Sequence, residues 1–173
     1  MNGLDRMQAA MVAYFSAEKQ ESLLFVLVGV AAIAASAFLL ARRHRLRAMA
    51  YPLIAVALIQ IAVGGSVYLR TDAQVATLQA QLVLAPAAYR AEELARMDKV
   101  SAGFRLYKGI EIALIAAGAV MIAAGVRRRQ ALVAAGIGLV LQASIMLVLD
   151  LFAERRAEQY IEAIRQLPAP GKA

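Results

Sequence analysis

Four carboxylates lie beside or within long apolar segments of the chain, where an ionised side chain costs free energy. Ionisable residues in such places tend to face a bundle interior or a water-filled path, so carboxylates there can hold a cation, an amine or a proton. In principle two of them can also act as a general acid and a general base. The candidate site contains the acids Glu18, Glu21, Glu111 and Asp150 and the tyrosines Tyr68 and Tyr107.

The apolar stripe that leads to Glu111 assigns this residue to the site. Met97, Val100, Phe104 and Tyr107 recur at spacings of three and four residues, and Glu111 continues the series. Because residues at these spacings share one face of a helix, we expect Glu111 to point inward. A basic residue or a bound cation would then offset the cost of its charge, or the carboxyl would take up a proton.

A purely structural role for the acids is the alternative interpretation. Several basic residues lie at the same level of the chain, and ion pairs with them would seat a helical bundle at the lipid headgroups. The acids would instead be solvated if the bundle were loose at this level. The basic residues are Arg70, Arg105, Lys108, Arg155 and Arg156.

Two glutamines lie deeper within the apolar segments. Gln60 and Gln142 each follow an inward stripe, one in the second segment and one in the fourth. Amide side chains in such places commonly hydrogen-bond between helices. The functional alternative is that they form part of a polar path toward the cytoplasm.

The residues of established catalytic and metal sites are missing from the sequence. There is no cysteine, and the single histidine, His44, stands in a run of arginines. Nucleophile, zinc-protease, phosphate-binding and dinucleotide-binding motifs are also absent. We therefore expect no enzymatic activity, no metal site and no cofactor.

The composition indicates a membrane protein. Hydrophobic residues make up 62% of the 173-residue chain and the mean hydropathy is +0.64, whereas soluble proteins are nearer half apolar. The excess lies in four segments without a formal charge, 22–41, 48–69, 112–126 and 131–149. A helix of about 20 residues crosses a bilayer, so the third segment needs an extension to position 109 that includes Glu111.

Apolar stripes continue beyond these segments at helical spacing, which predicts helices longer than the membrane is thick. We predict an all-α protein, with helices over about 4–41, 48–84, 88–126 and 130–167, a break at Pro86 and a disordered tail over 168–173. Each helix would be about 57 Å long, about 25 Å more than the hydrocarbon core. The extensions all fall on one side, so residues 1–173 are expected to form one up-down-up-down transmembrane bundle. The alternative is that some extensions lie flat on the membrane.

Arginines in the two short turns predict the orientation. Positive charge concentrated beside membrane spans favours the cytoplasm, which places both termini and the 70–108 segment outside. The overall charge of +7 is thereby a topology signal, which argues against nucleic-acid binding. The turn residues are Arg42, Arg43, Arg45 and Arg47, and Arg127, Arg128 and Arg129.

Two functions remain open from the sequence alone. The first is a non-enzymatic binding or accessory protein of a bacterial inner membrane, which engages a partner protein, a lipid or a ligand through its extracytoplasmic bundle. The second is a small oligomeric transporter or channel that uses the carboxylates for a cation or a proton. Small residues in the apolar segments favour close helix packing, either within the chain or between copies of it.

Overall fold

The computed structural model of the chain describes residues 3–42, 45–127 and 129–167, and these ranges contain helices and no strand. The helices are α1 (Gly3–Ala41), α2 (Ala50–Leu84), α3 (Pro86–Gly125) and α4 (Gln130–Arg165), with a 3-10 turn at Arg47–Met49 before α2. The prediction of an all-helical protein with four long apolar helices is confirmed for these residues. The tail predicted over 168–173 lies outside them.

The break between α2 and α3 shows how the sequence fixes a helix boundary. Ala85 has an extended φ of −147°, as expected for a residue before proline. Pro86 then occupies the first turn of α3, where its missing N–H needs no partner and its fixed φ suits a helix. For this reason α3 begins at Pro86 and not at the predicted position 88.

All four helices are long and apolar enough to cross a membrane. Their apolar segments also expose large hydrophobic side chains on the outside of the protein, for example Leu27 at 55%, Ile59 at 57% and Val120 at 67%. Such surfaces are stable against lipid and costly against water. These features together indicate a multi-pass membrane protein.

A buried or half-buried position recurs every seven residues along each helix, as in left-handed packing of long helices. Within the apolar segments the buried residues are mostly small, which permits close approach of the backbones. The four seven-residue lines are Phe15, Ser22, Gly29 and Ser36; Ala50, Ala57, Gly64, Thr71 and Leu78; Met97, Phe104, Glu111, Gly118 and Gly125; and Gly136, Ala143, Asp150, Ala157 and Ile164.

Glycines bring neighbouring helices into backbone contact. A Cβ added to Gly64 of α2 would lie 2.8 Å from the carbonyl oxygen of Ser22 on α1. A Cβ added to Gly136 of α4 would lie 2.6 Å from the carbonyl oxygen of Gly118 on α3. The α1–α2 pair and the α3–α4 pair are therefore each held by an interface that leaves no room for a side chain at these positions.

The extensions beyond the apolar segments pack on one another and form what we call the distal half-bundle, residues 3–21, 70–108 and 150–167. All four helices contribute to its core, so the extensions do not spread as separate surface helices. The core consists of Met7, Met11, Tyr14, Phe15, Leu78, Leu82, Tyr89, Met97, Ala157, Tyr160, Ile161, Ile164 and Leu167.

Candidate functional site

Glu111 occupies a buried position at the boundary between the apolar segments and the distal half-bundle. The residue is 1% exposed, and neither of its carboxylate oxygens has a hydrogen-bond partner among the described residues. The charge that acts on it is another acid, Asp150 of α4. The structure thus brings together two of the predicted site residues, without a base between them.

The basic residue nearest to Glu111 in sequence has another partner. Lys108, one turn earlier on α3, forms an ion pair of 2.5 Å with Glu154 of α4. Arg70 and Arg105, the other predicted partners, are exposed. Of the alternatives that the sequence left open for Glu111, the described residues do not include an ion pair with a base, because Glu154 binds Lys108 across the interface.

Glu18 and Glu21 have different neighbours from Glu111. Glu21 forms an ion pair with Arg156 of α4. Glu18 accepts a hydrogen bond of 3.3 Å from the Tyr14 hydroxyl. Burial raises the pKa of Glu18, and this effect exceeds the opposing pull of nearby arginines, Arg96 first among them. Glu21 accordingly forms an α1–α4 ion pair of the kind that the structural interpretation describes, whereas the hydrogen bond of Glu18 lies within α1.

The two tyrosines of the predicted site are both exposed to the outside of the protein. Tyr107 is 55% exposed and Tyr68 is 37% exposed. The prediction that Tyr107 faces inward with its stripe is wrong. Phe104 is half-buried and Glu111 is buried, but Tyr107, which lies between them in sequence, is exposed. Tyr68 instead packs beside Lys19, whose ammonium lies 4.9 Å from the ring centre.

Gln60 and Gln142 meet in the interior. Gln142 donates a side-chain hydrogen bond to the side-chain oxygen of Gln60, and the two residues are 2% and 0% exposed. The contact is the hydrogen bond between helices that the sequence allowed. Closer to the arginine turns, Gly138 of α4 packs on the 3-10 turn before α2, and a Cβ added there would lie 2.8 Å from the Met49 carbonyl oxygen.

A second buried acid, Glu93, was missed by the sequence analysis. Glu93 is 1% exposed, receives two hydrogen bonds of 2.7 Å from Arg96 and accepts one of 2.9 Å from the Tyr160 hydroxyl. The Tyr160 hydroxyl is 2.7 Å from that of Tyr89. The available signal was the spacing of Tyr89, Glu93 and Met97, which extends the α3 stripe by steps of four.

Burial keeps the two tyrosines of this network protonated. Burial raises the pKa of Tyr89 to about 12, and burial together with the charge of Glu93 raises the pKa of Tyr160 further. The Glu93 carboxylate can therefore serve as acceptor for a neutral tyrosine and for Arg96 together. Such a fully bonded network specifies how the helices of the distal half-bundle pack.

The predicted topology arginines lie at the opposite end of the helices from the distal half-bundle. Arg42, Arg45, Arg47, Arg127 and Arg129 are all exposed. Arg43 and Arg128 lie outside the described residues. Charge at this end is therefore free to contact anionic headgroups or water.

Across the described ranges, no group of three or more His, Cys, Asp or Glu side chains is arranged to hold a metal ion. No protein-family model, curated protein or solved structure matches the chain. The features of the chain that can support a function are the buried Glu111 beside Asp150 and the surface of the distal half-bundle.

Proposed function

We propose that this chain is a non-enzymatic accessory protein of a bacterial inner membrane that engages a partner protein through its distal half-bundle. The four helices run up-down-up-down, the arginine turns face the cytoplasm, and both termini and the distal half-bundle lie outside. The lipid bilayer is the first partner of the protein, and its exposed apolar helix surfaces support that assignment.

The apolar tip at the α2–α3 junction, residues 83–88, is the observation that carries the proposal. All six residues, Val-Leu-Ala-Pro-Ala-Ala, are exposed, with Val83 at 72% and Leu84 at 83%. Beneath them Leu82 and Tyr89 are held in the core. The tip is thus a rigid apolar projection, and exposed apolar surface on a folded support is typical of a protein interaction site.

The distance of the tip from the membrane favours a protein occupant over lipid. Between Leu69, where the second apolar segment ends, and Leu84 the helix advances 15 residues (84 − 69), or about 22 Å at about 1.5 Å per residue. The tip therefore stands clear of the bilayer that the same chain spans. A partner protein with an apolar cleft would bury the Leu84 side chain.

Site-specific photocrosslinking tests this proposal in native membranes. A photoreactive residue at Leu84 is expected to give one defined adduct, whereas the same residue at exposed Thr77, on the flank of α2, gives none. With the partner purified, Leu84→Glu should weaken its binding at least about tenfold, the loss expected of an apolar anchor. Equal labelling at both positions, or no adduct, contradicts the proposal; an adduct between two copies identifies a homo-oligomer in place of a separate partner.

The second candidate function, a small oligomeric transporter or channel, is favoured by the burial of Glu111 without a base. A transport path would have to continue from Glu111 past Gln60 and Gln142 toward the arginine turns. The close contact of Gly138 with Met49 argues against such a path through one copy of the chain. Flux of protons or monovalent cations into proteoliposomes, abolished by Glu111→Ala, would establish transport and displace the accessory role.

A further inference from the structure

At the level where the apolar segments of α3 and α4 end, each helix carries an acid on its inward line. Along α3 the buried Glu111 comes seven residues before Gly118, and along α4 the half-buried Asp150 comes seven residues after Ala143. The same two helices are in backbone contact at Gly118 and Gly136. Glu111 and Asp150 are therefore held at an interface that has little freedom to separate them.

No positive charge neutralises this pair. Lys108 on α3 is held by Glu154 on α4, and the charge that acts on Glu111 is that of Asp150. On α1, Glu21 is bound to Arg156 and Lys19 to Asp72. On α2, Arg70 is exposed, as are Arg105 on α3 and Arg155 on α4, and the charges that act on the two carboxyl groups are those of other acids.

Physical chemistry restricts the charge that such a pair can carry. A carboxylate that is 99% removed from solvent, with no hydrogen bond to either oxygen, loses its hydration without compensation. A second carboxylate beside it, that of the half-buried Asp150, adds repulsion, which favours a state in which only one of the two acids is ionised. One proton removes both penalties, because it neutralises one acid and supplies the donor that the other accepts.

We propose that Glu111 and Asp150 form a proton-binding site, in which one proton is held between the two carboxyl groups at neutral pH. A metal ion is a poorer occupant, because hard cations such as calcium take about six to eight oxygen ligands and the described residues offer no cluster of three or more candidate ligands here. Proton release would leave two charges in the α3–α4 interface and loosen it. The inference is independent of the partner proposed above.

Infrared spectroscopy of the full chain in lipid nanodiscs at neutral pH detects the proton directly. A protonated carboxyl absorbs apart from carboxylates, so the wild type is expected to show this band and Glu111→Gln to lack it. Glu158→Gln, which alters an exposed acid on α4, should retain the band. A wild type without the band, or a band unchanged in both Glu111→Gln and Asp150→Asn, overturns the proposal.

The pH dependence of stability gives an independent readout. An unfolded glutamate releases its proton at about pH 4.3, whereas the folded pair keeps one. The contribution of this site to stability is therefore largest in acid and falls as pH rises. The folding equilibrium constant of the wild type should fall by up to about tenfold per pH unit for one proton. Glu111→Gln, which resembles the protonated acid, should lower that dependence and remain folded at high pH.

Sodium titration distinguishes a proton from a metal cation. If sodium chloride at constant pH stabilises the wild type, leaves Glu111→Gln unchanged and abolishes the carboxyl band, the site binds a cation and the proton proposal is wrong. If Glu111→Gln is destabilised equally at every pH, a stranded basic partner is indicated, and this result also overturns the proposal. An unchanged band and melting temperature in sodium support the proton.

Discussion

Gln142 on α4 donates a hydrogen bond to the side-chain oxygen of Gln60 on α2, and both residues are buried among apolar neighbours. The bond links two helices that are not consecutive in the chain. The amide nitrogen of Gln60 has no partner among the described residues, so this one bond satisfies the pair only in part.

Replacing one glutamine should lower the free energy of unfolding more than replacing both. Gln142→Leu leaves Gln60 with no partner in an apolar interior, and we expect a loss of about 1–2 kcal/mol in the free energy of unfolding in detergent. The double substitution Gln60→Leu/Gln142→Leu should recover part of that loss, because no buried amide remains unsatisfied. Strict additivity of the two single effects would show that the glutamines do not interact.

Adjacent glycines in α2 provide a matched pair of substitutions. Alanine at Gly64 would place its Cβ 2.8 Å from the Ser22 carbonyl oxygen, whereas alanine at Gly65 would meet nothing within 4 Å. Gly64→Ala should therefore destabilise the protein by about 1–3 kcal/mol, as overpacking does. Gly65→Ala should be neutral in the same detergent unfolding experiment. Equal behaviour of the two variants would contradict the α1–α2 contact.

The Tyr160 hydroxyl joins Glu93 to Tyr89 within the distal half-bundle. Tyr160→Phe removes one hydrogen bond from a buried carboxylate, and we expect a loss of about 1–3 kcal/mol in the free energy of unfolding. The control is Tyr107→Phe, since the Tyr107 side chain is 55% exposed. If Tyr160→Phe melts like the wild type, the network does not stabilise the half-bundle.

The sequence predicted the helices well because their causes are local. Segment length, apolar content and Pro86 specify where each helix crosses and where α2 gives way to α3. Which acid and which base form an ion pair between α3 and α4 was not predictable, because it depends on how the two helices are aligned. A sequence shows that Lys108 lies near Glu111, but only the alignment of the helices shows that Glu154 binds Lys108.

Which residues of α3 are buried was also only partly predictable from the sequence. Steps of three and four residues predicted that Tyr107 and Glu111 share the inward face, but Glu111 is 1% exposed and Tyr107 is 55% exposed. The sequence shows which residues share a face of α3, whereas the width of that face that other helices cover depends on where those helices lie. Glu93 was missed for a related reason: its burial depends on Tyr160 and Arg96, whose side chains satisfy the charge.

The orientation of the bundle can be tested cleanly because the chain has no cysteine, so a single introduced cysteine is a unique label site. Arg45 and Ala88 are both exposed and lie at opposite ends of the helices. If positive turns face the cytoplasm, a membrane-impermeant maleimide added to intact spheroplasts should label Ala88→Cys and spare Arg45→Cys. Permeabilised cells, in which both cysteines should react, provide the control. Protection of Ala88→Cys together with labelling of Arg45→Cys would reverse the orientation and place the apolar tip, with any partner it binds, in the cytoplasm.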